Sequence, residues 1–229
     1  MKKVLISLVV MALVLVVTDR VAVTVAQRAI SSQVAASGEL SGKPTVSIGG
    51  FPFLTQALSG RYSSIEVHAD GVADNQGVAQ FDATLTGVRL PLSAVLSGSI
   101  DNVPVGSLDA RVVLTYAELE RRVANRRLKL SAAGDLLRVT GSVTVLGRTL
   151  SASALSSLSV SGGDVRVTAQ RFEVGVRPAD AVLTKALGKR LDFAVRVGAL
   201  PYGLTLTSAA AVSTGIEATA VARNTTLTR

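Results

Sequence analysis

The stretch that decides the fold is Pro44–Tyr62, which reads PTVSIGGFPFLTQALSGRY. Thr45–Ile48 predicts a short β-strand, and Gly49-Gly50 ends it. Pro52 then fixes an extended elbow, because its ring locks φ and pushes the preceding residue toward extended geometry. Leu54–Leu58 predicts one helical turn that ends before the next glycine.

Phe51 and Phe53 flank the proline of this elbow, in a chain of which only 3% is aromatic. Large apolar side chains on a stiff turn need a specific place to pack, because each buries a large area. We therefore expect both rings to enter the apolar interior near one end of a sheet.

Alternation of apolar and polar residues begins after the elbow and recurs to the C-terminus, which is the period of half-buried strands. Val165–Val176 departs from it, because its apolar positions change from odd to even numbers near Gln170-Arg171 and so predict a β-bulge. Helices are predicted over Tyr116–Arg127, capped by Thr115, and from Pro178. The predicted strands are Tyr62–Ala69, Val78–Leu90, Leu108–Leu114, Leu137–Val145, Leu150–Val160, Val165–Val176, Phe193–Val197, Leu204–Ala211 and Ile216–Ala222.

These elements predict an α+β fold, a long curved and mostly antiparallel β-sheet wrapped on two or three helices. Turn residues between 70 and 77 predict a hairpin from the first two of these strands. No linker rich in Pro, Ser or charge interrupts the chain. We therefore expect residues 20–223 to form a single domain, followed by a flexible tail at 224–229.

Residues 1–19 are predicted to be a signal peptide or an N-terminal membrane anchor. Lys2-Lys3 precede an uncharged apolar run, Val4–Val17, which as a helix is about 21 Å long, against a hydrocarbon core of roughly 30 Å. A basic start before a run of this length is typical of a secretory signal. Thr24-Val25-Ala26 only approximates a cleavage site, so cleavage and retention both stay open. An amphipathic helix over Arg20–Ser37 either packs on the domain's sheet or connects the membrane to the domain.

Composition narrows the class of protein. The chain of 229 residues is 48% hydrophobic and 17% charged, with a net charge of +8 and no cysteine. The charge favours anionic partners, either nucleic acid or acidic lipid. Nucleic acid is disfavoured, because no aromatic stacking platform with interleaved arginines is visible and the N-terminus predicts export. The absence of cysteine excludes disulfides and thiolate metal sites.

Catalytic chemistry has little support in the sequence, and we expect no enzyme, no cofactor and no metal. His68 is the only histidine and shares a strand face with Glu66 and Asp70. These three groups could in principle ligate a metal, although a solvated strand face beside a turn has the same pattern. No nucleophile elbow, zinc-binding helix motif or phosphate loop is present.

The densest charge is a basic segment of five cations on or just after the helix that follows Thr115. One interpretation is an ordinary solvated face, partly neutralised by Glu118 and Glu120. The other is a docking patch for anionic head groups or a membrane surface, since each cation near such a surface contributes on the order of 1 kcal/mol. The basic segment consists of Arg121, Arg122, Arg126, Arg127 and Lys129.

The elbow resembles the LmeA-like phospholipid-binding family of exported bacterial envelope proteins, whose best-known member is linked to lipomannan elongation. The resemblance implies an extracytoplasmic protein that holds phospholipid, of the phosphatidylinositol type, in an apolar groove of a tubular lipid-binding fold. It implies no catalytic residue. The matching residues run from Val46 to Gln56, with Gly60, Tyr62 and the strand Ile65-Glu66-Val67; those predicted to bind lipid are Phe51, Pro52, Phe53, Leu54, Gln56 and Tyr62.

Three hypotheses follow from the sequence. The first is a non-catalytic phospholipid-binding or lipid-carrying envelope protein that supports lipoglycan assembly, with envelope glycosyltransferases as partners. Its inward residues, mostly Val, Ala and Leu with few aromatics, fit a hollow channel and a close-packed core equally well. The second is a membrane-associated scaffold with a filled core that recruits envelope enzymes. The third is a hydrolase or transferase acting on lipoglycan, which would need an acid/base pair that the sequence does not show.

Overall fold

The structure is a computed structural model that describes residues 2–36, 44–70, 78–91, 93–94, 102–122, 128–145, 148–174 and 192–228. It confirms the predicted α+β class with antiparallel strands. Within the described residues, the strands form two sheets. The predicted turn at 71–77 and the helix from Pro178 lie outside the described residues.

The N-terminal helix α1 spans Lys2–Ala36 without interruption. The apolar run ends at Thr18-Asp19-Arg20, but none of these residues is Gly or Pro and the helix continues through them. Val4–Val17 is exposed, whereas Asp19, Val23 and Ser31 are buried. The helix is long and apolar enough to cross a membrane, a test that a signal sequence also passes.

The elbow forms the local structure predicted for it. Strand β1 is Thr45–Gly49, helix α2 is Phe53–Ser59 and strand β2 is Arg61–Ala69. β1 and β2 pair antiparallel, with Ile48 opposite Ile65. The Phe51-Pro52 peptide bond is cis.

The other strands are β3 (Val78–Arg89), β4 (Asn102–Thr115), β5 (Lys129–Ala133), β6 (Leu136–Val145), β7 (Arg148–Ser161), β8 (Asp164–Val174), β9 (Phe193–Val195), β10 (Thr205–Val212) and β11 (Gly215–Thr228). Most of them lie where the alternation predicted a strand, but β4 begins before the predicted Leu108 and β5 was not predicted. The six-stranded sheet has the order β1-β2-β3-β4-β11-β10, and the five-stranded sheet has the order β5-β6-β7-β8-β9. A third helix, α3, spans Tyr116–Arg122, and its Glu118 N–H donates to Thr115 Oγ1 at 3.3 Å, as the predicted cap requires.

The predicted β-bulge in β8 is confirmed. Ser156 of β7 pairs with Ala169, and the preceding Leu155 pairs with Arg171, so Gln170 is the extra residue. The change of apolar parity in the sequence therefore reports the position of the bulge. A bulge of this kind bends the strand and increases its local twist.

The last strand is longer than the sequence indicated. β11 continues to Thr228, which corrects the predicted strand end at Ala222 and places residues 224–228 in a strand. Within this strand, Asn224 has a left-handed backbone with φ of 49°. Asn tolerates that conformation better than most residues, so the strand passes through it.

The residues divide into two compact units. Unit 1 comprises residues 1–73, 82–109 and 222–229, and unit 2 comprises residues 74–81 and 110–221. In unit 1, α1 packs on β1 and α2. In unit 2, β10 packs on β5, β6 and β7, around buried residues that include Leu137, Val139 and Val167.

Gly60 gives a testable consequence for unit 1. It ends α2 with φ of 64°, and a Cβ there would lie 2.9 Å from Pro91 Cα. We expect Gly60→Ala to destabilise unit 1 by more than the roughly 1–2 kcal/mol that a left-handed alanine costs alone. Chemical denaturation followed by circular dichroism measures the loss.

Gly134→Ala is the control for the cost of placing alanine in a left-handed backbone conformation. Gly134 also has a positive φ, of 63°, and a Cβ there meets nothing within 4 Å. An equal loss in both variants would contradict the close approach of Pro91.

Candidate functional site

An apolar cavity of about 260 Å³ lies within unit 2. Its walls come from strands of both sheets, from α3 and from the segment between β9 and β10 that contains the 3₁₀ turn Pro201–Gly203. Every lining side chain among the described residues is apolar. The lining residues are Phe81, Ala110, Val112, Leu114, Leu119, Val165, Val195, Val197, Leu200, Pro201, Leu204, Leu206, Ile216, Ala218 and Ala220.

Strand alternation produces this lining. β4 contributes every second residue from Ala110 to Leu114, and β11 does the same from Ile216 to Ala220. Successive side chains on a strand point to opposite faces, so these positions share the inner face. Alanines at 110, 218 and 220 fill less space than the Val and Leu around them, and this leaves room between the sheets.

The rim of the cavity is formed by the segment before β10. Pro201 is exposed, and Val197, Leu200 and Leu204 are half-buried. The sequence had identified this segment only as a turn. A signal was available, because Leu200 and Leu204 place two large aliphatic residues around a Pro-Tyr-Gly turn that would otherwise be expected to be polar.

The predicted lipid-binding residues of the elbow lie in unit 1, and none of them is among the described lining residues of the cavity. Phe53 is buried and packs against Tyr62, with ring centroids 6.3 Å apart. Burial raises the pKa of the Tyr62 hydroxyl above its ordinary value. These two rings form a packing contact inside unit 1.

Phe51 was expected to enter the interior, but its side chain remains outside it. Its side chain is 57% exposed, and the guanidinium carbon of Arg20 lies 4.8 Å from its ring centroid. Pro52 is exposed and Leu54 is half-buried. A period-based argument could not separate the two phenylalanines, because Phe53 begins helix α2 and Phe51 lies in the elbow before it.

Gln56 has a structural role in the same segment. Its Nε2 donates to Gly49 O at 3.1 Å, and its Oε1 accepts from Ser63 N at 2.8 Å. The side chain thus links α2 to the end of β1 and the start of β2. Such amide bridges hold a turn in one conformation.

The basic segment is only partly described. Arg126 and Arg127 lie outside the described residues, and the Arg122 side chain is not described. Arg121 forms an ion pair with Glu118, and Lys129 Nζ lies 2.9 Å from Glu120 Oε2. The two described cations are therefore neutralised by the glutamates that the sequence had singled out.

Glu120 also accepts a hydrogen bond from the backbone. Partial burial would raise the pKa of its carboxyl, but the Leu130 N–H at 2.8 Å and the Lys129 ammonium outweigh burial and hold the pKa below its ordinary value. These contacts stabilise the carboxylate and join α3 to β5. They contribute stability above the ordinary carboxyl pKa and lose it as the pH falls.

His68 contacts one of its two predicted neighbours, Asp70, and also Asp82, which the sequence did not indicate. Its Nδ1 lies 2.6 Å from Asp82 Oδ1 on the neighbouring strand, and its Nε2 lies 3.4 Å from Asp70 Oδ1. Glu66 is exposed on the same strand. Among the described residues, no group of three or more such side chains is arranged to hold a metal.

This pairing predicts a pH dependence for unit 1. The hydrogen bond to Asp82 is the main cause that raises the pKa of the His68 imidazole above its ordinary value. A raised folded-state pKa stabilises the fold fully below about pH 6.5 and loses that contribution as the pH rises through the folded-state pKa. His68 is the only histidine, so its NMR titration is directly assignable.

His68→Gln should remove this part of the pH dependence, and Asp82→Asn should bring the imidazole pKa back toward its ordinary value. An imidazole that titrates at or below the ordinary value in the intact chain would contradict the pairing.

Comparison with known proteins gives one family. The profile of the family described as "LmeA-like phospholipid-binding" matches residues 17–221, which is most of the chain. Comparison with the curated proteins and with the solved structures finds no match.

Proposed function

Because the chain belongs to the LmeA-like phospholipid-binding family, we propose that the cavity of unit 2 holds an acyl chain of a bound phospholipid. The observation that carries the proposal is a lining of fifteen apolar side chains around about 260 Å³. An acyl chain is matched by such walls, since it has no polar group that would need a partner.

The size of the cavity limits what it encloses. Small-molecule pockets usually measure roughly 300–1,000 Å³, so this cavity suits part of one acyl chain rather than a whole phospholipid. Each buried methylene contributes about 0.8 kcal/mol, and six of them would contribute about 5 kcal/mol. The head group then lies outside the rim formed by Val197, Leu200, Pro201 and Leu204.

The proposed function is binding or carriage without catalysis. The lining residues that the structure describes carry no ionisable side chain, so they offer a bound acyl chain no acid, base or nucleophile. The cavity itself supports lipid binding over the scaffold with a filled core, because that scaffold would need close-packed side chains where the cavity lies.

The finer parts of the proposal rest on the family resemblance and on charge. We place the protein in the cell envelope, exported or anchored through α1, where it would support lipoglycan assembly beside envelope glycosyltransferases. Phosphatidylinositol-type lipids are the proposed class. The basic segment is proposed to meet anionic head groups, and Arg121 and Lys129 would have to exchange their glutamate partners to take part.

Photo-cross-linking tests the proposal on the full chain. A phospholipid with a diazirine on its acyl chain is incorporated into nanodiscs with the protein, and the labelled peptides are identified by mass spectrometry. We expect labels on cavity-lining segments 195–206 and 216–220, with higher yield for a phosphatidylinositol than for a phosphatidylcholine probe.

Labels confined to the apolar run of α1 would overturn the proposal, because they would report only the surrounding bilayer. Labels in the cavity with equal yield for both probes would support acyl-chain binding and contradict the choice of head group.

A further inference from the structure

The C-terminal part of α1 is an integral part of unit 1. Asp19, Val23 and Ser31 are exposed by only 2%, 8% and 6%, and they are spaced so that they share one helix face. Ser31 Oγ donates to the carbonyl oxygen of Pro44, immediately before β1. The part of α1 from residue 19 to residue 31 is called the docked segment below. The Ser31 contact fixes its C-terminal end at the start of β1.

The other end of the docked segment meets the elbow. Leu54 N–H, in the first turn of α2, donates to Asp19 Oδ1 at 2.8 Å. Arg20 lies against the ring of Phe51. Twelve residues separate Asp19 from Ser31, about 18 Å along a helix, so α1 runs beside β1 and its apolar half leaves unit 1 at the elbow.

Two exposed apolar side chains lie on the elbow and on α2, the elements that contact Arg20 and Asp19. Phe51 is 57% exposed and Leu58 of α2 is 79% exposed. Apart from residues of α1, Tyr202 of unit 2 is the other exposed large apolar residue among those described. Two of these three therefore lie on the short segment that contacts the base of the apolar helix.

The length of the apolar run sets its depth in a bilayer. Val4–Val17 spans about 21 Å as a helix, roughly 9 Å less than the hydrocarbon core. With Lys2-Lys3 at the cytoplasmic interface, as the positive-inside rule favours, the far end of the run cannot reach the opposite head groups. Such a mismatch is relieved when the bilayer thins or when flanking side chains snorkel to the interface.

We infer that α1 is retained as a membrane anchor and that Phe51 and Leu58 lie in the interfacial layer of the bilayer next to it. The occupant of this exposed apolar face is therefore lipid. Arg20 fits the same position, because its stem is apolar and its guanidinium can reach the head groups while it covers the Phe51 ring.

The docking contacts explain why the helix is retained. Cleavage after Ala26 would remove Asp19, Arg20 and Val23 and would leave the Leu54 N–H without its acceptor. The family match also begins at residue 17, before the docked segment. The inference does not depend on the cavity, since all of its residues belong to unit 1.

The first test is the N-terminus of the full chain, expressed with a C-terminal tag in a bacterial host. We expect the tryptic peptide Val4–Arg20 in the carbonate-washed membrane fraction. A mature chain that starts after residue 20 would overturn the inference.

The second test uses the absence of tryptophan from the chain. Phe51→Trp and Leu58→Trp each introduce a single reporter, and Thr45→Trp is the matched control, because Thr45 is exposed at the end of β1 near Pro44. The full-length variants are placed in nanodiscs of ordinary or brominated phospholipid. We expect blue-shifted emission and loss of intensity in brominated lipid at 51 and 58, and neither at 45.

Emission at 51 and 58 that matches the Thr45→Trp control would overturn the interfacial contact, whatever the first test shows. If emission at positions 51 and 58 is quenched but the photoprobe forms no cross-links in the cavity, this inference stands and the proposed function is contradicted.

Discussion

Ala218→Trp is expected to weaken phospholipid binding at least tenfold. Ala218 lies on β11 and its side chain points into the cavity, where the indole would take space proposed for methylenes. Losing two buried methylenes costs about 1.6 kcal/mol, and 1.4 kcal/mol is a factor of ten in affinity. Titration of the acyl-chain photoprobe, with the yield on segment 195–206 as the readout, gives the apparent Kd.

Ala210→Trp is the matched control. Ala210 is on the neighbouring strand β10, opposite Glu217, and it is exposed. The same atoms are added there outside the cavity, so we expect an unchanged Kd. Circular dichroism shows whether each variant retains its fold, and equal affinity of two folded variants would contradict acyl-chain binding in the cavity.

Leu137→Ala is expected to destabilise unit 2 by about 2–5 kcal/mol. Leu137 is fully buried on β6 and belongs to the cluster that includes Val139, Ala154 and Val167. Truncation removes buried methyl groups and leaves a void, since close-packed neighbours relax only partly. Chemical denaturation of the full chain, followed by the β-sheet circular dichroism signal, measures the change.

Leu136→Ala is the control for Leu137→Ala, because it makes the same substitution at a neighbouring position on the other face of the strand. Leu136 is adjacent in sequence but half-buried, because it points to the other face of β6. We expect its loss to cost less than about 1 kcal/mol. Similar costs for the two variants would contradict the assignment of the inner face, which also defines the inner face of the cavity walls.

Much of the fold follows from local pattern. The β-bulge at Gln170 follows from a change in apolar parity, and the cap at Thr115 follows from a spacing of three residues. Both depend on backbone geometry over a few residues, which the sequence determines directly. A second irregularity, between Leu206 and Ser208, was not predicted because the alanine-rich strand β10 conceals its parity.

The candidate site was predicted less well. Both phenylalanines of the elbow were expected in the interior, yet only Phe53 is buried and Phe51 is exposed. The cavity was foreseen only as one of two outcomes, because a lining of Val, Ala and Leu packs closely or stays open according to the separation of the two sheets. That separation is a property of tertiary packing.

The sequence by itself determined the antiparallel strands, their buried faces and the family of the protein, because these depend on residue order and short spacings. Only the tertiary structure decided where the alanines of β4 and β11 leave a cavity. It also decided that Asp19 meets Leu54 across 35 residues of chain. The physical reason is that burial and hydrogen bonding depend on neighbours in space, which long-range folding brings together.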